Sequence, residues 1–325
     1  MSASNEMASR LLAGDRAALA RLISWAENGD PRYPAVLAEV WPKVGRAWRV
    51  GITGPPGAGK STLTNEVVAA FREAGDQVGI LAIDPSSPFT GGALLGDRIR
   101  MEERTVDPGV YIRSMATRKS HGGLARAASD ACDVMDAFGF EAVLMETVGV
   151  GQAEYDVVSA ADTVVVVLCP GAGDGIQAMK AGILEVADVL VVNKSDLDGA
   201  DQLVMDLEDS LRMREVRRHR EENPWTPPVV TTSALREEGI EDLRQAIAKH
   251  RAHLEAGDLE AVRRKKRVAQ VRRVVGEKLE DELWGPRGNT ERADSLLARS
   301  ITPYDVAEEI LGAILGVASP TRGTS

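Results

Sequence analysis

The sequence predicts an α/β fold: a doubly wound domain with a mainly parallel sheet, an N-terminal helical segment and a C-terminal helical extension. Short β-branched runs alternate with amphipathic helical patterns from about residue 48 to residue 247, as strand–helix repeats do in such domains. Several runs are apolar without alternation, which is typical of strands buried on both faces of a parallel sheet. The strand candidates are Val50–Thr53, Val78–Asp84, Val110–Ser114, Ala142–Glu146, Thr163–Leu168, Val189–Asn193 and Val229–Thr232.

Three domains are predicted along the chain. Residues 1–45 are a helical segment, because apolar residues recur there at helical spacing and Pro31 and Pro34 break the run. Residues 46–250 are the sheet domain. Residues 251–325 are a helical extension that is expected to mediate dimerisation.

Two helical patterns make up this extension. One covers His250–Leu283 and the other covers Ser300–Leu315, where Thr302 and Pro303 are suited to the N-cap and the first helical position. A loop between them is marked by Gly285, Gly288 and Asn289. The long helix carries an apolar stripe that includes Val268, Val271, Val274, Val275 and Leu279. This stripe packs either on the core or on a second copy of the chain, and we favour a homodimer.

Composition excludes several classes of protein. The 325 residues carry a net charge of −10, which argues against general nucleic-acid binding because that needs a basic surface. Two basic runs, residues 217–220 and 263–267, are interpreted as solvated helix faces, although the second could contribute to a partner interface. The longest apolar run, Thr163–Cys169, is too short to span a bilayer. With two distant cysteines and no leader pattern, we expect a cytoplasmic protein without membrane contact.

The most informative motif is the run Gly54-Pro55-Pro56-Gly57-Ala58-Gly59-Lys60-Ser61, which fits the phosphate-loop pattern G-x-x-x-x-G-K-[ST] at every specified position. A strand pattern precedes it and a helix pattern over Thr62–Ala74 follows, which is the context that the motif needs. The loop's backbone N–H groups and the helix N-terminus, including Thr62, would bind phosphates. Lys60 would pair with the β- and γ-phosphates, and the Ser61 hydroxyl would ligate Mg²⁺.

A second motif indicates which base is bound. Asn193-Lys194-Ser195-Asp196 follows the strand Val189–Asn193 and matches the guanine-reading pattern N-K-x-D. The Asp196 carboxylate can accept hydrogen bonds from N1–H and the exocyclic amine of guanine, whereas adenine lacks both donors and would leave a buried carboxylate unpaired. Asn193 would contact the far edge of the base and the Lys194 stem would pack over it. Ser233, Ala234 and Leu235 follow the next strand and are assigned to the base site. These motifs predict a phosphate-loop NTPase of the G-domain type that binds GTP or GDP.

Acidic residues at the phosphate side are the candidate metal ligands. Asp84 and Glu146 close strands, and Asp97 lies in a glycine-rich segment. Glu146 begins Glu146-Thr147-Val148-Gly149, which occupies the place of the D-x-x-G switch motif with Glu replacing Asp. Together with Ser61 these oxygens suit Mg²⁺, directly or through water. For Asp97 simple solvation is an equal alternative.

The hydrolytic machinery departs from the Ras-like arrangement. Val150 follows Gly149, at the position from which Ras-like GTPases orient the attacking water with glutamine. Gln152 is a candidate substitute. The hypothesis is slow intrinsic GTP hydrolysis, accelerated by a conformational change or a partner. Lys60, Asp84, Glu146 and Gln152 are candidate catalytic residues.

The order of these motifs resembles that of MeaB/ArgK-type G proteins. The resemblance includes Asp84-Pro85-Ser86-Ser87-Pro88 and Glu146-Thr147-Val148-Gly149-Val150-Gly151-Gln152 and extends over nearly the whole chain. Its most specific element is the segment 170–180, which is similar to the family's mobile switch III loop. The assigned switch III residues are Gly173, Asp174, Gln177 and Lys180. The resemblance implies that Gln177 and Lys180 couple the nucleotide to the partner, and Lys180 is added to the catalytic candidates.

The resemblance also implies a client. MeaB-type proteins are GTPase chaperones of adenosylcobalamin-dependent methylmalonyl-CoA mutase; they gate cofactor delivery and protect or reactivate the mutase. The expected cofactors of this chain are Mg²⁺ with GTP or GDP, and any cobalamin would belong to the partner. The expected partners are the mutase and a second copy of the chain.

Two alternative functions remain open. A nickel-insertion GTPase would need His or Cys clusters, yet only His250 and His253 are close in sequence, and they resemble helix surface. A kinase or ATPase linked to amino-acid transport would need an acceptor site and ATP, against which Asp196 argues.

Overall fold

A computed structural model describes residues 3–84, 107–116, 123–147, 159–171, 185–215, 225–285, 289–298 and 302–315. It divides into two compact units, Met1–Lys266 and Arg267–Ser325. The domain division predicted from the sequence stays a prediction. Within the described ranges, no helix is both long and apolar enough to cross a membrane.

The first unit is built on a seven-stranded sheet in which every described strand pair is parallel. The strands are β1 Trp48–Thr53, β2 Val78–Asp84, β3 Val110–Ala116, β4 Ala142–Thr147, β5 Thr163–Leu168, β6 Val189–Asn193 and β7 Val229–Thr232. Their order is β3-β2-β4-β1-β5-β6-β7. The predicted parallel α/β fold is therefore confirmed, and β1 lies at the centre with its carboxyl end leading into the phosphate loop.

Helices cover both faces of this sheet. The first unit contains α1 Ala3–Leu12, α2 Arg16–Asn28, α3 Tyr33–Val40, α4 Lys60–Glu73, α5 Gly123–Phe138, α6 Ala200–Glu215 and α7 Ile240–Ala256. Side chains along β4 alternate between two hydrophobic cores: Val143 and Met145 pack with α1–α3 and α5, whereas Leu144 packs with α4 and α7. Burial on both faces explains why the strands show no alternation in sequence.

The N-terminal helical segment packs on α5. The Tyr33 hydroxyl donates to the Asp130 carbonyl at 3.2 Å, and Arg16 Nη2 donates to the Val110 carbonyl at 3.1 Å. Asp15 caps α2 by accepting from the Ala17 backbone N–H at 2.8 Å. These contacts bind the first helices to the sheet domain, so they belong to the same compact unit.

The C-terminal helices differ from the sequence prediction in two places. The predicted helix His250–Leu283 is divided between α7 and α8 Leu259–Trp284, because the chain turns at Gly257, whose N–H bonds to the His253 carbonyl at 3.1 Å. Asn289, predicted as loop, begins a further helix, α9 Asn289–Leu297, and donates to the Leu283 carbonyl at 2.7 Å.

The last helix, α10 Pro303–Leu315, begins where the sequence predicted its cap. The Thr302 hydroxyl accepts from the Asp305 backbone N–H at 3.2 Å, and the Asp305 carboxylate accepts from the Thr302 hydroxyl at 2.6 Å. The Asp305 carboxylate also accepts from the Thr302 backbone N–H at 3.2 Å, and this reciprocal pair of backbone bonds satisfies N–H groups that have no partner within the helix. Leu296 of α9 packs with Val306 and Ile310 of α10 in a small separate core.

Candidate functional site

The phosphate loop lies between β1 and α4 and is closely packed on its neighbours. Gly54 has φ +138°, and a Cβ there would lie 2.0 Å from the Val167 carbonyl oxygen of β5. Gly59 has φ +87°, and its Cβ would lie 2.5 Å from the Asn193 side chain. Only glycine fits both the backbone angles and these approaches. The loop is therefore held against the carboxyl ends of β5 and β6.

Lys60 is buried inside this loop at the first residue of α4. Its Nζ donates to the Gly54 carbonyl at 2.8 Å and to the Pro55 carbonyl at 3.0 Å. The ammonium group and the positive end of the helix dipole therefore act at the same place, which favours an anion.

The Ser61 hydroxyl and the Glu146 carboxylate meet beside Lys60. Ser61 Oγ, in the first turn of α4, donates to Glu146 Oε1 at 2.5 Å, and Glu146 lies near the end of β4 with 6% of its surface exposed. A hydroxyl and a carboxylate are hard oxygen donors of the kind that Mg²⁺ prefers, so the two residues fit a divalent cation. Asp84 ends β2, but its side chain and the whole of Asp97 lie outside the described residues.

Asn193 connects the end of β6, the phosphate loop and the turn after β7. It ends β6 and is buried; its Nδ2 donates to the Ala58 carbonyl of the phosphate loop at 2.8 Å. Its Oδ1 accepts from the Thr232 hydroxyl at 3.1 Å and from the Ala234 backbone N–H at 3.2 Å. The amide is therefore fixed in one orientation, and it connects the phosphate loop to the turn after β7.

Lys194 takes an unusual backbone conformation next to Asn193. Its φ is +59°, in the left-handed region that residues with a Cβ rarely adopt. Its Nζ donates to the Gly57 carbonyl at 2.7 Å. The side chain thus spans from the loop after β6 to the phosphate loop, and this contact accompanies the strained backbone.

Asp196 is oriented by the turn after β7. Its Oδ1 accepts from the Ser233 hydroxyl at 2.7 Å, and Arg236 Nη2 lies 3.5 Å from its Oδ2. The Ser233 hydroxyl bond, then a backbone hydrogen bond, then the nearby charges of Arg236 and Lys194 hold the pKa of Asp196 below its ordinary value. Asp196 is therefore ionised at neutral pH and can only accept hydrogen bonds. Leu235, in the same turn, is 87% exposed.

The structure brings together most of the residues predicted for the nucleotide, from three separate parts of the sequence. Those that lie outside its described residues are Asp97, Gln152, Gly173, Asp174, Gln177 and Lys180. The sequence analysis assigns no role to Arg236, which faces Asp196, and does not predict that the Thr232 hydroxyl orients Asn193. The sequence signal for both was only their position beside the Ser233-Ala234 pair.

Comparison with known proteins identifies the family of this chain. A family model described as methylmalonyl Co-A mutase-associated GTPase MeaB matches residues 19–287. A Pyrococcus abyssi (strain GE5 / Orsay) protein named as a GTPase is 46% identical over 316 residues, which cover 96% of this chain and 97% of the relative. The GTPase ArgK of Escherichia coli (strain K12) is 35% identical over 283 residues, which cover 85% of this chain and 84% of ArgK.

A solved structure supports the fold over its full length. The crystal structure of an LAO/AO transport system kinase is similar with a TM-score of 0.70 and 27% identity, and the match covers 96% of this chain and 97% of that one. The family match spans the phosphate loop, the sheet and the base-reading loop. The chain belongs to the MeaB family of methylmalonyl Co-A mutase-associated GTPases.

Proposed function

We propose that this protein binds GTP with Mg²⁺ and hydrolyses it slowly, as a switch that controls a cobalamin-dependent mutase. The observation that carries the nucleotide assignment is the ionised Asp196, fixed by Ser233 and placed beside a phosphate loop through Asn193. Guanine offers two N–H donors to such a carboxylate and adenine offers none. A base bound against Asp196 would cover the carboxylate, and an acceptor buried in this way without a partner costs about 1–3 kcal/mol, and more for a charged group.

Each residue of the site has a proposed role. Lys60 neutralises the β- and γ-phosphates, while Ser61 and Glu146 hold Mg²⁺, with Asp84 and Asp97 as further ligands directly or through water. Bound Mg²⁺ would neutralise charge that develops on the transferring phosphate. Gln152 would orient water in place of the glutamine that Val150 replaces, which is consistent with a slow intrinsic rate.

The proposed client is methylmalonyl-CoA mutase. Support comes from the description of the matched family, which names that association. In this proposal the nucleotide state gates adenosylcobalamin delivery and protects or reactivates the mutase, with the cobalamin held by the partner. Gly173, Asp174, Gln177 and Lys180 would transmit the nucleotide state through switch III.

A homodimer in the cytoplasm completes the proposal. Val268, Val271, Val275 and Leu279 of α8 are 47–59% exposed in the single chain, as a helical contact face would be before assembly. Cys132 and Cys169 are both free thiols, which suits a reducing compartment.

The kinase and nickel-insertion alternatives have less support. A kinase or ATPase would need ATP, whereas Asp196 favours guanine. Among the described residues, no group of three or more His, Cys, Asp or Glu side chains is arranged to hold a metal ion.

Nucleotide titration tests the first half of the proposal. Fluorescent GDP and ADP analogues are titrated into the wild type and Asp196→Asn, with Asp201→Asn, an exposed α6 carboxylate, as control. We expect GDP to bind at least about 100-fold more tightly than ADP, with the preference lost only in Asp196→Asn. Equal affinity for the two nucleotides in the wild type would refute the assignment.

Hydrolysis with and without the mutase tests the second half. GTP turnover is measured for the wild type and Ser61→Ala, alone and with methylmalonyl-CoA mutase loaded with cofactor. We expect slow turnover alone, stimulation by the mutase, and loss of both in Ser61→Ala. Absence of both stimulation and complex formation with GDP, GTP or a non-hydrolysable analogue would exclude the mutase as client.

A further inference from the structure

Arg236 faces the base-reading carboxylate from the turn that follows β7. Its Nη2 lies 3.5 Å from Asp196 Oδ2, and 59% of the arginine side chain is exposed. The other carboxylate oxygen accepts from Ser233 at 2.7 Å. Each oxygen of Asp196 therefore faces a side chain of the same short turn, and the carboxylate also accepts a backbone hydrogen bond.

The backbone that carries Arg236 is fixed at both ends. Its N–H bonds to the Ser233 carbonyl at 2.9 Å, in the 3-10 turn Ala234–Arg236. Ser233 and Glu238 then pair through two backbone bonds, of 3.1 and 3.2 Å, which close the turn. The guanidinium is therefore presented to Asp196 from an ordered backbone, although its side chain lies largely in solvent.

The number of hydrogen bonds that the Asp196 carboxylate can still accept indicates how Ser233 and Arg236 affect its contact with a base. An ionised carboxylate has about four positions for donors, two on each oxygen. Ser233 takes one on Oδ1 and a backbone N–H takes another, while Arg236, 3.5 Å from Oδ2, is an ion-pair partner beyond ordinary hydrogen-bond distance, so two positions remain. Guanine needs one acceptor on each oxygen, because its N1–H and exocyclic amine lie side by side. The free positions match that need only if the carboxylate plane is held.

We propose that Arg236 is a positioning residue for guanine recognition: with Ser233 it fixes the plane of the Asp196 carboxylate so that both oxygens face the base. This inference rests on the proposed binding of guanine nucleotides. Two-point contact requires a fixed plane, whereas a rotated carboxylate can still accept one bond. Loss of Arg236 therefore weakens the two-point contact with guanine more than the one-point contact with a base that offers only N1–H.

Inosine diphosphate separates these two contacts, because hypoxanthine keeps N1–H and lacks the amine. The experiment measures Kd for GDP, IDP and ADP with the wild type, Arg236→Ala and Arg236→Lys. Arg212→Ala is the matched control, since Arg212 also forms an exposed ion pair of 3.5 Å, with Glu208 of α6. We expect Arg236→Ala to raise the Kd for GDP about two- to five-fold, the range of an exposed ion pair, and to raise the Kd for IDP by less. Arg236→Lys restores most of the GDP-to-IDP ratio, and Arg212→Ala leaves it unchanged.

Two outcomes overturn the inference while the proposed function stands. Equal weakening of GDP and IDP in Arg236→Ala means that the arginine only supports the turn, and tighter or unchanged GDP binding means that it competes with the base or does nothing. A wild type that does not prefer GDP to ADP refutes the proposed function, and the inference with it.

Discussion

At the scale of single residues, Gly239 connects the base-reading turn to α7 under tight constraints. Its φ is +72°, and a Cβ would lie 2.1 Å from the Thr231 carbonyl oxygen and 3.2 Å from the Thr232 Cα. Both neighbours are backbone atoms of the strand that ends at the turn, so they cannot rotate away. A side chain here would displace Ser233, and with it Asp196.

Gly239→Ala is therefore expected to be destabilising. A left-handed backbone costs alanine about 1–2 kcal/mol, and displacement of the strand adds to this, so the loss should be at least about 2 kcal/mol. Urea unfolding measures it, and GDP affinity should fall in parallel. Gly276→Ala in α8 is the control, because a Cβ there meets nothing within 4 Å; we expect it to stabilise by up to about 1 kcal/mol. Similar unfolding midpoints for the two variants would contradict this account.

The sequence predicts residues of this site unevenly. Asn193, Asp196 and Lys60 can be predicted from sequence motifs, because their proposed chemistry requires fixed residue types at fixed spacing. Arg236 has no such spacing: its contact with Asp196 depends on a turn closed by backbone bonds between Ser233 and Glu238, which composition does not reveal. The positive φ of Lys194 is also not predicted from the sequence. It accompanies a contact between the Lys194 side chain and the phosphate loop, which forms only when the fold brings the two together.

At the scale of elements, the first turns of α8 attach that helix to the amino end of the sheet. The Arg263 guanidinium bonds to both oxygens of the Asp162 carboxylate, at 3.1 and 2.8 Å. It also donates to the carbonyls of Gly45 at 2.6 Å and Ala47 at 3.1 Å. Lys266 donates to the Ala161 carbonyl, and burial lowers its pKa. Two cations one helical turn apart thus hold the first turns of α8, which belong to the first unit, on the residues that precede β1 and β5.

This attachment corrects an interpretation of the sequence. The basic run 263–267 was interpreted as a solvated helix face, which holds for the exposed Arg264 and Lys265. Arg263 and Lys266 instead face the sheet domain. Composition identifies a run of cations, but which of them point inward depends on the acidic and carbonyl groups that the fold places beside the helix. The other basic run, 217–220, lies outside the described residues.

Arg263→Met tests the attachment. The Asp162 side chain is only 4% exposed. In Arg263→Met it would keep the bond from the Arg49 backbone N–H at 3.1 Å but lose the guanidinium that bonds to both of its oxygens, a loss that costs about 3–5 kcal/mol when the pair is fully buried. Because Arg263 is 19% exposed, we expect a loss of about 2–4 kcal/mol in urea unfolding. The adjacent Arg264→Met, with an exposed side chain, should change stability by less than about 0.5 kcal/mol. Equal effects of the two substitutions would show that α8 is not held by this contact.

At the scale of the whole molecule, the parallel sheet follows from the strand–helix alternation, but the order of its strands and the assembly of the chain do not. The apolar stripe of α8 permits packing on the core or on another chain. In the structure Val268, Val271, Val275 and Leu279 remain 47–59% exposed, and none of the residues described for α8 is buried. Because the first and last of these residues are three helical turns apart, they form a continuous face rather than isolated surface residues.

We therefore expect a dimer in solution whose contact uses this face of α8. Val271→Asp combined with Val275→Asp places two charges in the centre of the contact, where each would be desolvated without a partner, and should yield monomers. Light scattering after gel filtration measures the mass, expected near twice 34.8 kDa for the wild type and near 34.8 kDa for the variant. Met205→Asp on α6, at a methionine that is 59% exposed, should remain dimeric. The GDP affinity of the double variant should match that of the wild type, because the residues proposed to bind the nucleotide all lie before Arg267. A monomeric wild type, or a double variant that stays dimeric, would exclude this face as the contact.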